Sequence, residues 1–444
     1  MQDQTQEALF SVPSDGQKVQ ERAKLPPARP RLRLADRKQA TFGPIVLEEL
    51  LPADHKARMV WAVVLRWDLG AFLATIQARG ETPGRAATDP RILLGLWLYA
   101  YSEGVGNGRE LERLCRQHDA YRWICGGVSI NYHTLNDFRV AHEKALDGLL
   151  TQMVAALMNA NVIDPSTIAN DGTRARASAG KNSFKTKETL AKDMELARQH
   201  VEQMKQQGAD PNTSLQRQAA QERAAREKVE RLQKAIDEVQ KVQAAKDAQK
   251  EKPSKHQPAK ASSTDPEARV MHFSDGGKRP GMNVQIAADV KGRAILAVAV
   301  TNAGNDAGQG EPLREQVENR TGVKVQNQLN DGSYATLDAI NNASLAQTKI
   351  YAPVPKPRKE GVDPHAPKKG DAPGVIEWRE RMGTPQAKTL YKKRASTIET
   401  VNADCKTHRG LGPFTVRGLG KVLCVALMSA MAYNLVHFGM KLVG

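Results

Sequence analysis

Cysteine is scarce in this chain. Four residues of 444 are cysteine, Cys115, Cys125, Cys405 and Cys424, and none forms a C-x-x-C pair. That count excludes a disulfide framework as the source of stability and points to a reducing cytosol. The spacings of Cys115, His118, Cys125 and His133 match no common zinc finger, so buried apolar thiols are the expected role. A signal-peptide layout is also missing: "MQDQTQEALFSVPSDGQ" has neither a basic head nor an apolar core. A single run, "VLCVALMSAMAYNLVHFGM" (Val422–Met440), is long enough to raise a membrane span, but it carries Ser429, Asn434 and His437. It reads as a buried core helix, and no membrane partner is expected. Acidic charge is in deficit. Lysine and arginine total 65 against 49 acids, a formal charge of +16, which favours a polyanionic partner and, of the available kinds, nucleic acid.

What is present divides the chain, whose length suggests two or three domains. Residues 1–41 are polar and proline-punctuated, and "KLPPARPRLRLADRK" reads as a flexible basic arm suited to phosphates or to solubility. Residues 42–158 show apolar spacing of three and four, with Asp89–Pro90 as a cap and first-turn proline. Short helices joined by tight turns and edged with arginine suit a helix-turn-helix-like DNA module, or an all-helical dimerisation domain. Residues 159–184 open a strand-bearing core. Residues 185–265 interrupt it: Leu190, Met194, Ala197, Val201 and Met204, then Val229, Leu232, Ile236 and Val239, keep heptad spacing on two helices. This predicts an inserted antiparallel helical hairpin followed by a polar linker. From 266 to 444 the core resumes. "GMNVQIAADV" and "RAILAVAVTNAG" flank a Lys291–Gly292 turn, and strands then alternate with helices. A late helix is predicted to start at Thr384–Pro385 and to carry Glu399. The predicted class is α/β, a mixed-sheet core with an N-terminal all-helical domain and the inserted hairpin.

Two predicted strands end on acids, Asp171 in "IANDGT" and Asp331 in "LNDGSY", and the late helix adds Glu399. Cleaving or joining a phosphodiester needs an activated water or hydroxyl and charge neutralisation at the leaving oxygen, which two divalent ions about 4 Å apart provide. Magnesium prefers carboxylate oxygens, so a few rigidly placed acids suffice. Beyond Asp171, Arg174 and Arg176 alternate with alanines. If the strand continues past Gly172 they share a face, as phosphate contacts or as a basic strand edge.

These residues resemble bacterial insertion-sequence transposases of the DDE type, from about residue 30 to 440. The carriers are "DGTRARASA", "STDPEARVMHFSDGGKRPGMNVQIAAD", "NDGSYAT" and "LYKKRASTIETVNADCKTHRGLGPFTVRGLGKV", with "DPRILLGLWLYAYSEGVGNGRELERLC" and "SINYHTLNDFR" nearer the N-terminus. The resemblance implies an RNase H-like core in which Asp171, Asp331 and Glu399 are catalytic and bind Mg2+, with Mn2+ able to substitute. After the second aspartate this family has an acid, a spacer and Gly-Tyr, where this chain has Asp331-Gly332-Ser333-Tyr334. Tyr391, Arg394, Glu399 and Lys406 match the family's tyrosine, arginine, glutamate, lysine signature with one extra residue before the glutamate. On a regular helix Glu399 and Lys406 lie about 20° apart, but Arg394 lies about 140° from Glu399. Either a π-bulge intervenes, or Arg394 serves a separate phosphate.

The implied activity is cleavage at the element's terminal inverted repeats and joining of 3′ ends to target DNA. The partners are double-stranded DNA, as element ends and target, and a homodimer or higher homo-oligomer, at the nucleoid in the cytoplasm. Arg174, Arg176, Tyr391, Arg394 and Lys406 are the expected DNA contacts. A catalytically inactive DNA-binding descendant and a metal-dependent nuclease without strand transfer are the rival readings.

Overall fold

The computed structural model describes residues 29–38, 46–81, 84–206, 214–248, 258–357 and 360–443. Most of the basic arm predicted for residues 1–41 falls outside them. Its described part holds Leu32–Arg33 (β1), which pairs in parallel with Ala87–Thr88 (β2).

Polar caps set the helix boundaries that follow. The helices are α1 (Lys56–Arg66), α2 (Gly70–Ala74), α3 (Pro90–Ser102), α4 (Gly108–Gln117), α5 (Asp119–Cys125), α6 (Tyr132–Ala141) and α7 (Glu143–Asn159). Asp89 accepts the Arg91 N–H while Pro90 occupies the first turn, where a missing donor does no harm. Asn107 and Asn131 cap α4 and α6 in the same way. Every residue of α3 from Ile92 to Ser102 is buried, so this helix forms the centre of the bundle.

The sheet begins with β3 (Thr167–Arg176). Two helices then leave the core, α8 (Lys187–Gln206) and α9 (Leu215–Asp247), and pack on each other around Leu190, Ala197, Leu232, Ile236 and Val239. These are residues of the predicted heptads. The link "GADPNTS" lies almost wholly outside the described residues. At the base of this insertion β4 (Phe184–Lys185) pairs antiparallel with β5 (Ala261–Ser262). The Glu238 carboxylate of α9 accepts from Arg269 and ties the insertion to the sheet.

The core resumes with β6 (Arg269–His272), β7 (Lys278–Asp289), β8 (Ile295–Thr301), α10 (Gly310–Thr321), β9 (Asn327–Leu329), α11 (Leu337–Leu345) and β10 (Lys349–Tyr351). The sheet order is β10-β9-β3-β7, with β6 and β8 sharing the far edge of β7. β3 is parallel to β9 and antiparallel to β7, so the sheet is mixed, as predicted. One expectation needs correction. The first strand does not end at Asp171 but runs on to Arg176, because β7 offers a continuous antiparallel partner from Gly281 to Asp289. The second acid also lies beyond its strand, two residues past Leu329.

The chain closes with α12 (Pro373–Gly383), α13 (Pro385–Arg394), α14 (Thr400–His408) and α15 (Leu419–Val443). Thr384 caps α13 through the Ala387 N–H, where the sequence places a helix start. By length and composition α15 could cross a membrane, but 72% of its apolar window is buried. It packs on α3, α7 and β8. Within it Asn434 is fully buried, and its amide donates to the Ile295 carbonyl and accepts the Ile295 N–H, both at 2.9 Å. A polar residue mid-helix is therefore satisfied by the otherwise open edge of β8.

Candidate active site

Asp171 stands in the middle of β3, the strand flanked on both sides in the sheet. Its two carboxylate oxygens are engaged from the late helix: Arg394 Nη2 donates to Oδ1 at 3.0 Å and Asn402 Nδ2 to Oδ2 at 2.9 Å. Arg394 also donates from Nη1 to Glu399 Oε1 at 3.1 Å. One guanidinium thus joins an acid of the sheet to an acid of the helix.

Local backbone makes that bridge possible. Residues Ala395–Glu399 form a π-helical turn between α13 and α14. Hydrogen bonds that reach five residues instead of four bring positions five apart onto one side. The extra residue between Arg394 and Glu399 is absorbed there, and of the two alternatives left by the sequence the π-bulge is the one adopted. Ile398 and Thr397 are buried beneath the turn, which lies against β3 and β7.

Asp331 caps a single 3-10 turn, Gly332–Tyr334, and accepts the Gly332 N–H at 2.6 Å. The Ser333 hydroxyl lies 3.4 Å from Asp331 Oδ2 and 3.2 Å from Oδ2 of a further acid, Asp306. Asp306 is 8% exposed. Its Oδ1 accepts from Asn283 at 2.7 Å and Gln285 at 2.8 Å, both on β7. Tyr334 donates to the amide oxygen of Gln285. Burial and the carboxylates around Tyr334 raise its phenol, which stays protonated as that donor.

The electrostatics follow from this crowding. Burial raises the Asp171 carboxyl above the usual range; Arg394 and Asn402 pull it back, while Asp306 and Asp331 push the same way as burial. Burial lowers the Lys406 ammonium, Arg174 adds to that, and Asp171 opposes it. The Tyr391 phenol is raised by burial, with Arg394 opposing. Lys406, Tyr391 and Arg394 therefore all feel the Asp171 carboxylate.

Arg174 and Arg176 are placed differently. Strand alternation puts both on the face of β3 opposite Asp171. Arg174 donates to the Gly304 carbonyl at 2.9 Å, and Arg176 is exposed.

As metal donors, Asp171, Asp331, Asp306 and Glu399 are hard oxygens of the kind magnesium takes. Among the described residues, no three His, Cys, Asp or Glu side chains are grouped closely enough to hold a metal ion. Arg394 is the cation balancing Asp171 and Glu399. Replacing it with lysine keeps the charge but cannot serve both carboxylates in one plane. Arg394→Lys is expected to lower stability by about 1 kcal/mol, the worth of one charge-assisted bond at a partly exposed site, read from urea unfolding.

Sequence reasoning missed Asp306 and Asn402. Asn402 follows Glu399 by three residues, a spacing that puts both on one helix face and could have flagged it. Asp306 sits in the glycine-rich loop "NAGNDAGQG", where no period marks it.

Residues 45–141 match a family model described as a transposase domain (DUF772), and residues 374–438 match the transposase DDE domain. Both matched segments are transposase domains, and together they support an insertion-sequence DDE transposase. In this transposase the first matched segment spans α1 to α6, and the second carries Arg394, Glu399, Asn402 and Lys406. Asp171 and Asp331 lie between them. No curated protein and no solved structure matches the chain.

Proposed function

We propose that this transposase cuts DNA at the terminal inverted repeats of its element and joins the freed 3′ ends to target DNA, using Asp171, Asp331 and Glu399 as a catalytic, metal-binding triad. The observation that carries this reading is the convergence on one guanidinium of Asp171 from the sheet and Glu399 from the late helix. An acid of the sheet and an acid of the late helix meeting at Arg394 supports a shared site for the two, and the mixed α/β sheet is compatible with an RNase H-like core.

Magnesium, or manganese in its place, would supply an acidified water or hydroxyl and positive charge at the leaving oxygen. Asp171, fixed by Asn402 at the strand, provides the rigid ligand. Asp331 is presented by its 3-10 turn, and Glu399 by the π-helical turn. Arg394, Lys406 and Tyr391 border the carboxylates and hold the scissile phosphate, while Arg174 and Arg176 bind more distant phosphates. Residues 42–158 form the DNA-end-binding domain, 159–184 and 266–444 the catalytic core, and 185–265 the inserted hairpin. Two or more subunits assemble on DNA at the nucleoid.

The test is purified full-length protein on a duplex carrying the element end, with Mg2+ or Mn2+. Nicking at the repeat boundary and a joined product with target DNA are the expected results. An intact duplex sinks the proposal, and nicks without joined product restrict it to hydrolysis.

A further inference from the structure

The loop between α14 and α15 bears on how DNA leaves the carboxylates. It is pinned along its length. Gly410, with φ +68, lies so close to the Tyr101 ring that an added Cβ would stand 2.7 Å from it. The Phe414 N–H donates to the Arg176 carbonyl at 2.9 Å, and the Gly418 N–H donates to Asp265 at 3.1 Å. Between this loop and helices α4 and α6 run two open cavities of about 310 and 600 Å3. Asn107, Arg139 and Thr415 line both, so they are one continuous tract.

Lys406 lies in the smaller cavity, and its ammonium is within electrostatic reach of Asp171. The larger cavity is lined by Arg109, Arg139, Arg417 and Lys421 against a single acid, Asp137. Arg139 is 4% exposed and fixed in the wall, donating to the Gly106 carbonyl at 2.7 Å with its guanidinium over the Trp97 ring. Arg109 stacks over Tyr132. Arg417 and Lys421 have no ion pair among the described residues. Positive charge in excess of acid, with amide and phenol groups between, is the chemistry that holds a sugar-phosphate backbone.

We infer that this tract, built jointly by the two transposase segments, seats the phosphate backbone of the element-end duplex as it runs from the carboxylates over α4 and α6. The inference rests on the transposase reading and adds to it the path of the DNA. It makes the pinned loop the joint through which the helical domain and the carboxylate site grip one duplex.

The experiment compares wild type with Arg417→Ala/Lys421→Ala and, as control, Lys192→Ala/Arg198→Ala on the exposed face of α8. Affinity for a duplex carrying the terminal repeat is measured from about 50 to 200 mM salt. Loss of two phosphate contacts should weaken binding about tenfold or more and lower the salt slope by about two, with an unchanged melting temperature. The control should bind as wild type does. Unchanged affinity and slope in the tract variant, or equal losses in the control, overturn the inference. If wild type nicks the duplex and the tract variant binds normally, the tract alone falls. If wild type neither binds nor nicks, the transposase reading falls with it.

Discussion

Asp171→Asn abolishes nicking and does not lower the melting temperature at pH 7. The amide keeps the shape of the carboxylate and a partner for Arg394, so β3 and the π-helical turn stay in place. What it removes is a negative oxygen of the proposed site, together with the several kcal/mol of charge stabilisation that a metal held there would provide. At about 1.4 kcal/mol per tenfold, the rate falls by about three orders of magnitude. The stability half follows from the raised Asp171 carboxyl. A carboxyl whose folded value lies above its unfolded one favours the fold most while protonated, and that contribution is lost as pH rises through the folded value. The asparagine variant carries no such loss. The melting-temperature difference between variant and wild type should therefore grow in the variant's favour from acid to neutral pH. Nicking within tenfold of wild type, or a variant that melts lower at pH 7, contradicts the assignment.

How much of this was legible in the sequence differs from element to element. The caps Asp89 and Thr384 act locally, through N–H groups two or three residues away, and a local code can be read without the fold. The heptads of the insertion are legible for the same reason: Leu190 and Val239 bury against residues that repeat on their own two helices. The length of β3 was not, since residues Gly172 to Arg176 are strand only because β7, more than 100 positions later, pairs with them. Glycine is a poor strand former, and here it marks a close approach rather than an end. Arg394 was readable in identity but not in place, because a π-helical turn changes the period from which its direction is computed. Asp306 was invisible. Its role depends on Asn283, Gln285 and Ser333 converging from a strand and a 3-10 turn, and no spacing in one chain segment encodes that.

Gly172→Ala is the second large effect, and it tests what the glycine is for. A Cβ at this position would stand 2.2 Å from Asp306 Oδ1, 2.5 Å from Gln285 Nε2 and 2.9 Å from Asn283 Oδ1. None of these is the free end of a flexible side chain, because each is held in the network that reaches Ser333 and Tyr334. Something must move, at about 1–3 kcal/mol of stability. The displaced groups are those behind Asp331 and beside Asp171, so nicking should fall along with stability. Asp306→Ala alone leaves two buried amide donors without their acceptor, again at about 1–3 kcal/mol. In the double variant the new methyl enters space that the carboxylate has vacated. The two losses should then sum to less than their parts, with a coupling of about 1 kcal/mol or more from urea unfolding of the four proteins. Strict additivity would mean that Gly172 is required for the strand itself, and that the Asp306 carboxylate is not what it makes room for.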